Sequence, residues 1–214
     1  MKCRRMYVSW SGGKDSTVML HLVRRIAPDI DVLYMSSGYT LPDTAVLIER
    51  LRHEWNLHLH VLDAPIDYIE LCRTFGLPHT RSRVSQKKVV KILKKDQASA
   101  WASSHGFDGL FWGIRAEESV GRAAMCRALP RGLRDGKGVL RLAPIAEWSA
   151  EDVWAYTLTE SIAYSGLYDR ENCGFTREML RNTGWLSTDG AAYGRLEWLR
   201  MNYPEQFQKV RDLL

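Results

Sequence analysis

Four cysteines in 214 residues, at positions 3, 72, 126 and 173, leave no C-x-x-C pair anywhere in the chain. Zinc and iron–sulfur sites ordinarily gather thiolates in such pairs, so neither centre is expected. The thiols are instead expected to be free and mostly buried, as in a reducing compartment. No apolar run approaches the ~20 residues that a membrane-crossing helix needs. The start, Met1-Lys2-Cys3-Arg4-Arg5, is charged but has no apolar stretch behind it. No signal peptide is therefore expected, and the expected location is cytoplasmic. Internal repeats and low-complexity tracts are missing too. So is G-x-x-x-x-G-K-[ST], the commoner phosphate loop. Charge excludes little: 30 Lys and Arg against 25 Asp and Glu give a net +5, compatible with polyanionic ligands.

What is present is organised around residues 9–17, Ser-Trp-Ser-Gly-Gly-Lys-Asp-Ser-Thr. The apolar run Met6-Tyr7-Val8 before them reads as a buried strand. After them comes an amphipathic helix with Val18, Leu22 and Ile26 on one face, and Met19 and Val23 beside it. A strand, a glycine pair and a helix start make an anion cradle. Gly12 and Gly13 let backbone N–H groups approach phosphate oxygens, and the helix N-terminus adds partial positive charge. Lys14 supplies a mobile cation, Asp15 could hold magnesium on the phosphates, and Ser11, Ser16 and Thr17 bring hydroxyl donors.

Further along, strands are expected at 31–35, 58–62, 109–112 and 139–143, with helices opening at Pro42 and Ser149 and a short one over 65–76. Leu47, Ile48, Leu51 and Trp55 line one face of the helix from Pro42. Strands alternating with helices imply an α/β fold: a doubly wound parallel sheet of five strands. Ligands in such sheets lie beyond the carboxyl ends of the strands, where the 9–17 loop and the loop with Ser36, Ser37 and Gly38 are expected. Seven Lys or Arg fall between 79 and 95. Of these, Arg81, Arg83, Lys87 and Lys88 occupy a loop and helix start where an anion can dock. At the end of the fourth strand, Gly113-Ile114-Arg115-Ala116-Glu117-Glu118 presents an arginine fork suited to phosphate or sulfate. Glu117 and Glu118 could orient that arginine, bind ribose hydroxyls or help hold magnesium. Residues 123–138, basic and glycine-rich, read as a mobile flap. Ser149 and Asp152 read as a helix-capping pair. Residues 191–214 read as two short helices broken at Pro204, and Trp185, Tyr193, Trp198 and Tyr203 as core more readily than as a base-stacking surface.

Ser11-Gly12-Gly13-Lys14-Asp15-Ser16 resembles the PP-loop of the adenine nucleotide alpha-hydrolase superfamily. The G-x-R-x-E-E-x-x-x-R run from Gly113 to Arg122 is similar to the second signature of its phosphoadenosine phosphosulfate (PAPS) reductase-like branch. Pro144-Ile145 through Asp152-Val153-Trp154 is similar to a third pattern of that branch. The resemblance implies a nucleotide-binding domain over 1–170 and leaves 171–214 as a small helical C-terminal extension. It implies ATP with Mg2+ as ligands and cleavage between the α and β phosphates with pyrophosphate release. The acceptor of the adenylyl group would be sulfate or an oxygen of a nucleic acid or small molecule, with a protein partner subunit possible. In the family the loop at 36–40 holds adenine and ribose, and Ser36 stands where an acidic residue is usual. Ser85 and Gln86 stand where reductases of the branch carry a cysteine, and the E-C-G-L-H nucleophile motif of the tail is absent. Reduction of PAPS or its relative lacking the 3′-phosphate would then need a partner thiol, with Cys126 and Cys173 the in-chain candidates. A non-catalytic adenine nucleotide-binding subunit is the third alternative.

Overall fold

The computed structural model describes residues 3–75, 91–92, 96–127, 132–134, 138–171, 174–180 and 194–211. Among these the strands are β1 (Met6–Trp10), β2 (Asp31–Ser36), β3 (His58–Asp63), β4 (Gly109–Trp112), β5 (Leu133–Arg134) and β6 (Leu140–Leu142). The helices are α1 (Lys14–Arg24), α2 (Pro42–Glu54), α3 (Tyr68–Phe75), α4 (Asp96–Ser104), α5 (Val120–Cys126), α6 (Ala150–Thr159), α7 (Arg195–Asn202) and α8 (Pro204–Arg211). No helix among the described residues is long and apolar enough to cross a membrane.

The expected α/β architecture holds, with one strand more than anticipated. The six strands lie in the order β3-β2-β1-β4-β6-β5. β1 pairs in parallel with β2 (Val8 opposite Val32) and with β4 (Val8 opposite Phe111), and β4 pairs in parallel with β6. The sixth strand, β5, comes from the stretch expected to be a mobile flap. Leu133 and Arg134 pair antiparallel with Arg141 and Leu140 and so cap the edge of the sheet. A two-residue strand leaves no periodicity to read, which is why its sequence looks like loop.

Successive strands run outward from β1 in one direction and from β4 in the other. The chain therefore reverses its winding between β1 and β4, the switch point at which α/β sheets open a crevice beyond their strand ends. The two loops with the strongest motifs follow these two strands.

The chain divides into two compact units, each drawn from separate segments: 1–34, 46–61 and 100–165 in the first, and 35–45, 62–99 and 166–214 in the second. The core of the first unit packs Val8, Trp10, Met19 and Leu20 with Leu51 and Val153, all almost fully buried. Helix α1 buries Val18, Met19, Leu20 and Val23, so the buried face is rotated from the expected one. It ends at Arg24, and Ile26, beyond it, is 89% exposed. On α2 the expected face is correct, since Leu47, Ile48 and Leu51 are buried. Helix α3 begins three residues later than expected because the Asp67 side chain accepts the Glu70 N–H at 2.8 Å. In the second unit the two tail helices meet at Pro204, which opens α8 where its missing N–H is not needed. Trp198 and Tyr203 are buried there, as core residues are. Cys72 and Cys126 are buried free thiols, and Cys3 is half-buried.

Candidate functional site

The 9–17 loop joins β1 to α1 through Gly12, whose φ of +73° lies in the left-handed region that glycine adopts without strain. Gly13 then caps the helix in an extended conformation. Hydroxyls brace this turn from within. Ser16 Oγ and Thr17 Oγ1 both donate to the Gly13 carbonyl, at 2.9 and 3.0 Å. Trp10 Nε1 donates to Thr17 Oγ1 at 3.0 Å, and Thr17 is 1% exposed. Its hydroxyl is therefore engaged on both sides and shapes the loop, whereas the sequence suggested a donor for the ligand. Ser16 Oγ also lies 3.0 Å from Ser11 Oγ and accepts the Ser11 N–H at 3.2 Å.

Four charged side chains converge across the switch point. Lys14, 5% exposed, donates from Nζ to Asp15 Oδ2 at 2.9 Å. Arg115, 1% exposed, donates from Nε to Asp15 Oδ1 at 2.5 Å. Its Nη1 donates to Glu117 Oε2 at 2.6 Å. Burial alone would raise the Asp15 carboxyl pKa, but Lys14 and Arg115 outweigh it and hold the group below its ordinary value. Asp15 is thus an anion gripped by two cations.

Two features lock Arg115 in place. Its backbone N–H donates to Glu118 Oε2 at 2.8 Å, and Glu118 in turn pairs with Arg122 on the first turn of α5. Glu117 Oε2 also accepts the backbone N–H of Ala150 at 2.7 Å. Ala150 opens α6 behind the expected capping box, in which Ser149 and Asp152 exchange bonds of 3.0 and 2.8 Å. Glu117 therefore bridges one arm of the Arg115 fork and the N–H that opens α6. That the start of α6 takes part was invisible in the sequence, because a backbone N–H carries no residue signature.

Gly113, between β4 and Arg115, faces the start of α1. A Cβ at this position would lie 2.6 Å from Ser16 Cα and 3.0 Å from Ser16 N. Only a residue without a side chain lets the two switch-point loops meet. Ser36 ends β2. Ser37 is 2% exposed and Gly38 has φ +71°; both belong to the second unit. Arg81, Arg83, Lys87 and Lys88 lie outside the described residues, as do Cys173, Trp185 and Tyr193.

Cys126 is 3% exposed among Ile114, Ala143 and Ala146. Burial, with the nearby Glu118 charge, pushes its pKa up, so it stays a thiol at neutral pH. That is the opposite of what a nucleophilic cysteine needs.

The family model of the phosphoadenosine phosphosulfate reductase domain matches residues 5–196. The chain belongs to this family. A PAPS reductase of Serratia proteamaculans is 29% identical over 163 residues, covering 76% of this chain and 65% of the relative. The chain spans from about half to about two thirds of the length of the first curated relatives it matches. Solved structures share this fold. A PAPS reductase from Candida auris, in a phosphate complex, has a TM-score of 0.60 at 18% identity, over 78% of this chain and 77% of that one. The FMN adenylyltransferase of Candida glabrata, solved with FMN and an ATP analogue, has a TM-score of 0.54 at 17% identity, over 77% and 51%. A U34-tRNA thiolase from Methanococcus maripaludis, with its [4Fe–4S] cluster, has a TM-score of 0.54 at 16% identity, over 98% and 71%. At these identities the likeness is one of fold alone.

Proposed function

We propose that this PAPS reductase-domain protein binds ATP at the 9–17 loop and cleaves it between the α and β phosphates, transferring the adenylyl group to an acceptor and releasing pyrophosphate. The observation that carries this reading is the Lys14–Asp15–Arg115–Glu117 chain at the switch point, with Lys14 and Arg115 almost fully buried beside a glycine-built helix start. Such a site offers two cations and a helix N-terminus to a polyphosphate. Lys14, on a flexible stem, can leave Asp15 for the phosphates, whereas Arg115 is fixed by carboxylates on two sides. The acceptor oxygen attacks the α-phosphorus in line, the bond to the bridging oxygen breaks, and pyrophosphate leaves with the electron pair. Charge accumulates on that leaving group, where Lys14 would stabilise it. Catalysis on these terms is positioning and electrostatics.

Magnesium fits the residues present. Each Asp15 oxygen accepts one cationic donor and keeps a further lone pair, and magnesium is commonly held by one carboxylate plus phosphate oxygens and water. When bound it would neutralise phosphate charge, with Asp15 as its protein ligand. By the family resemblance, Ser36, Ser37 and Gly38, at the end of β2, would serve the adenosine. The basic residues 81–88 and Arg122 serve the acceptor anion, sulfate or a nucleic-acid phosphate.

A second reading, reduction of a sulfonucleotide with a partner thiol, is favoured by the name of the relatives. The burial of Cys126 weighs against an in-chain thiol at that position. The deciding experiment incubates the protein with ATP, magnesium and sulfate, and separately with PAPS and a dithiol. Pyrophosphate release that Lys14→Ala lowers at least tenfold supports adenylyl transfer. Thiol-dependent sulfite release without any pyrophosphate would replace it with the second reading.

A further inference from the structure

Residues 171–214 were left without a role by the sequence, yet described residues of that tail, with Arg170, make specific polar contacts within the second unit. Asp43 lies in the first turn of α2, where a negative charge is favoured by the helix N-terminus. Its carboxylate accepts both arms of the Arg170 guanidinium, Nε to Oδ2 at 2.8 Å and Nη2 to Oδ1 at 3.0 Å. The Tyr203 hydroxyl donates to the same Oδ2 at 2.6 Å, and the Arg170 guanidinium lies over the Tyr203 ring at 5.1 Å. Four residues before Asp43, the Tyr39 hydroxyl donates to the Gln206 carbonyl at 2.6 Å. Tyr39 is itself 2% exposed and stacked on the fully buried Tyr68. The other flank of the segment is held as firmly. The Ser36 and Ser37 carbonyls accept the N–H groups of Ala64 and Tyr68, at 2.9 and 3.0 Å. At Gly38 a Cβ would sit 2.5 Å from the Asp67 Cβ.

We infer that the tail helices α7 and α8, together with Arg170, are a positioning brace for the segment 36–45, whose first residues are proposed to serve the adenosine, acting through Asp43 and Tyr39. The inference rests on the reading given under Proposed function. A surface arginine on a surface aspartate contributes little by itself. Here the pair is bidentate, the carboxylate is shared with a buried tyrosine, and a second tyrosine bond repeats the attachment on the same segment. Such redundancy fixes geometry. A loop held on both flanks presents its groups in one position, so its affinity for a ligand depends on what holds it.

The brace concerns the adenosine half of the ligand only, and that makes it testable. ATP and inorganic tripolyphosphate are titrated calorimetrically into the full chain, its Tyr203→Phe and Arg170→Lys variants, and Lys14→Ala. Expected in both brace variants is about tenfold weaker ATP binding, roughly 1.4 kcal/mol, with tripolyphosphate affinity and far-ultraviolet dichroism unchanged. Lys14→Ala should weaken both ligands. Wild-type ATP affinity in both brace variants, or an equal loss of both ligands, overturns the brace while leaving the phosphate site standing. If the unaltered chain binds neither ligand, the site reading fails and the brace falls with it.

Discussion

Gly113→Ala adds one methyl group where the two switch-point loops touch. The new Cβ would sit 2.6 Å from Ser16 Cα, 3.0 Å from Ser16 N and 3.2 Å from the Asp15 carbonyl, all of them backbone atoms. Ordinary contact begins near 3.4 Å, so the start of α1 must move by about 0.8 Å relative to β4. Overpacking of this kind costs about 1–3 kcal/mol. In a chain of this size each kcal/mol lowers the melting temperature by about 2–4 °C, so a fall of roughly 2–12 °C is expected. The effect on turnover should be larger in proportion. The shift falls on Asp15 and Arg115, whose 2.5 Å contact spans the same gap, and a misplacement near 1 Å can cost about a hundredfold in rate. Pyrophosphate release from ATP is compared with thermal melting for Gly113→Ala and for Gly121→Ala, which has nothing within 4 Å of its added methyl. Gly121→Ala, within α5, should keep the wild-type rate and melt no lower than wild type. A Gly113→Ala protein with wild-type rate and melting temperature would refute the claim that the two loops meet at this position.

Arg115→Lys should lose about a hundredfold or more in pyrophosphate release while the protein remains folded by dichroism, because an ammonium cannot hold Asp15 and Glu117 together as the fork does; full turnover would show that the fork is dispensable. The pH dependence of stability should carry a contribution from Asp15. Its folded pKa is lowered, so the stabilisation is fully present above the unfolded value near 3.9 and is lost as pH falls through the lower folded value. Acid denaturation of Asp15→Asn should show a shallower slope in that window, and curves that superimpose on wild type would contradict the ion-pair account. Protein purified anaerobically should contain no stoichiometric iron, since no cysteine pair is available in the sequence; iron with acid-labile sulfide would overturn that expectation.

Local chemistry determined much of this protein. An apolar run, a glycine pair and a helix start within a dozen residues specify strand, turn and helix with little help from elsewhere. The Ser149–Asp152 capping box is equally local, as is the Pro204 break between α7 and α8. Alternation of such units was enough to imply a doubly wound sheet. Tertiary structure alone decided which residues the site uses and how. Arg115 meets Asp15 across 100 residues of sequence, and Glu117 is fixed by a backbone N–H 33 residues away. No pattern in the chain encodes such a meeting. The need for a bare glycine at 113 is also non-local, set by how closely α1 approaches β4. Arg170 and Tyr203 reach Asp43 from 127 and 160 residues away, in a tail whose sequence reads only as two short helices. The face that α1 buries and the pairing of β5 depended on where neighbouring elements stop. The sequence therefore carried the chemistry of the loop, and packing of distant segments selected which charges would be held together within it.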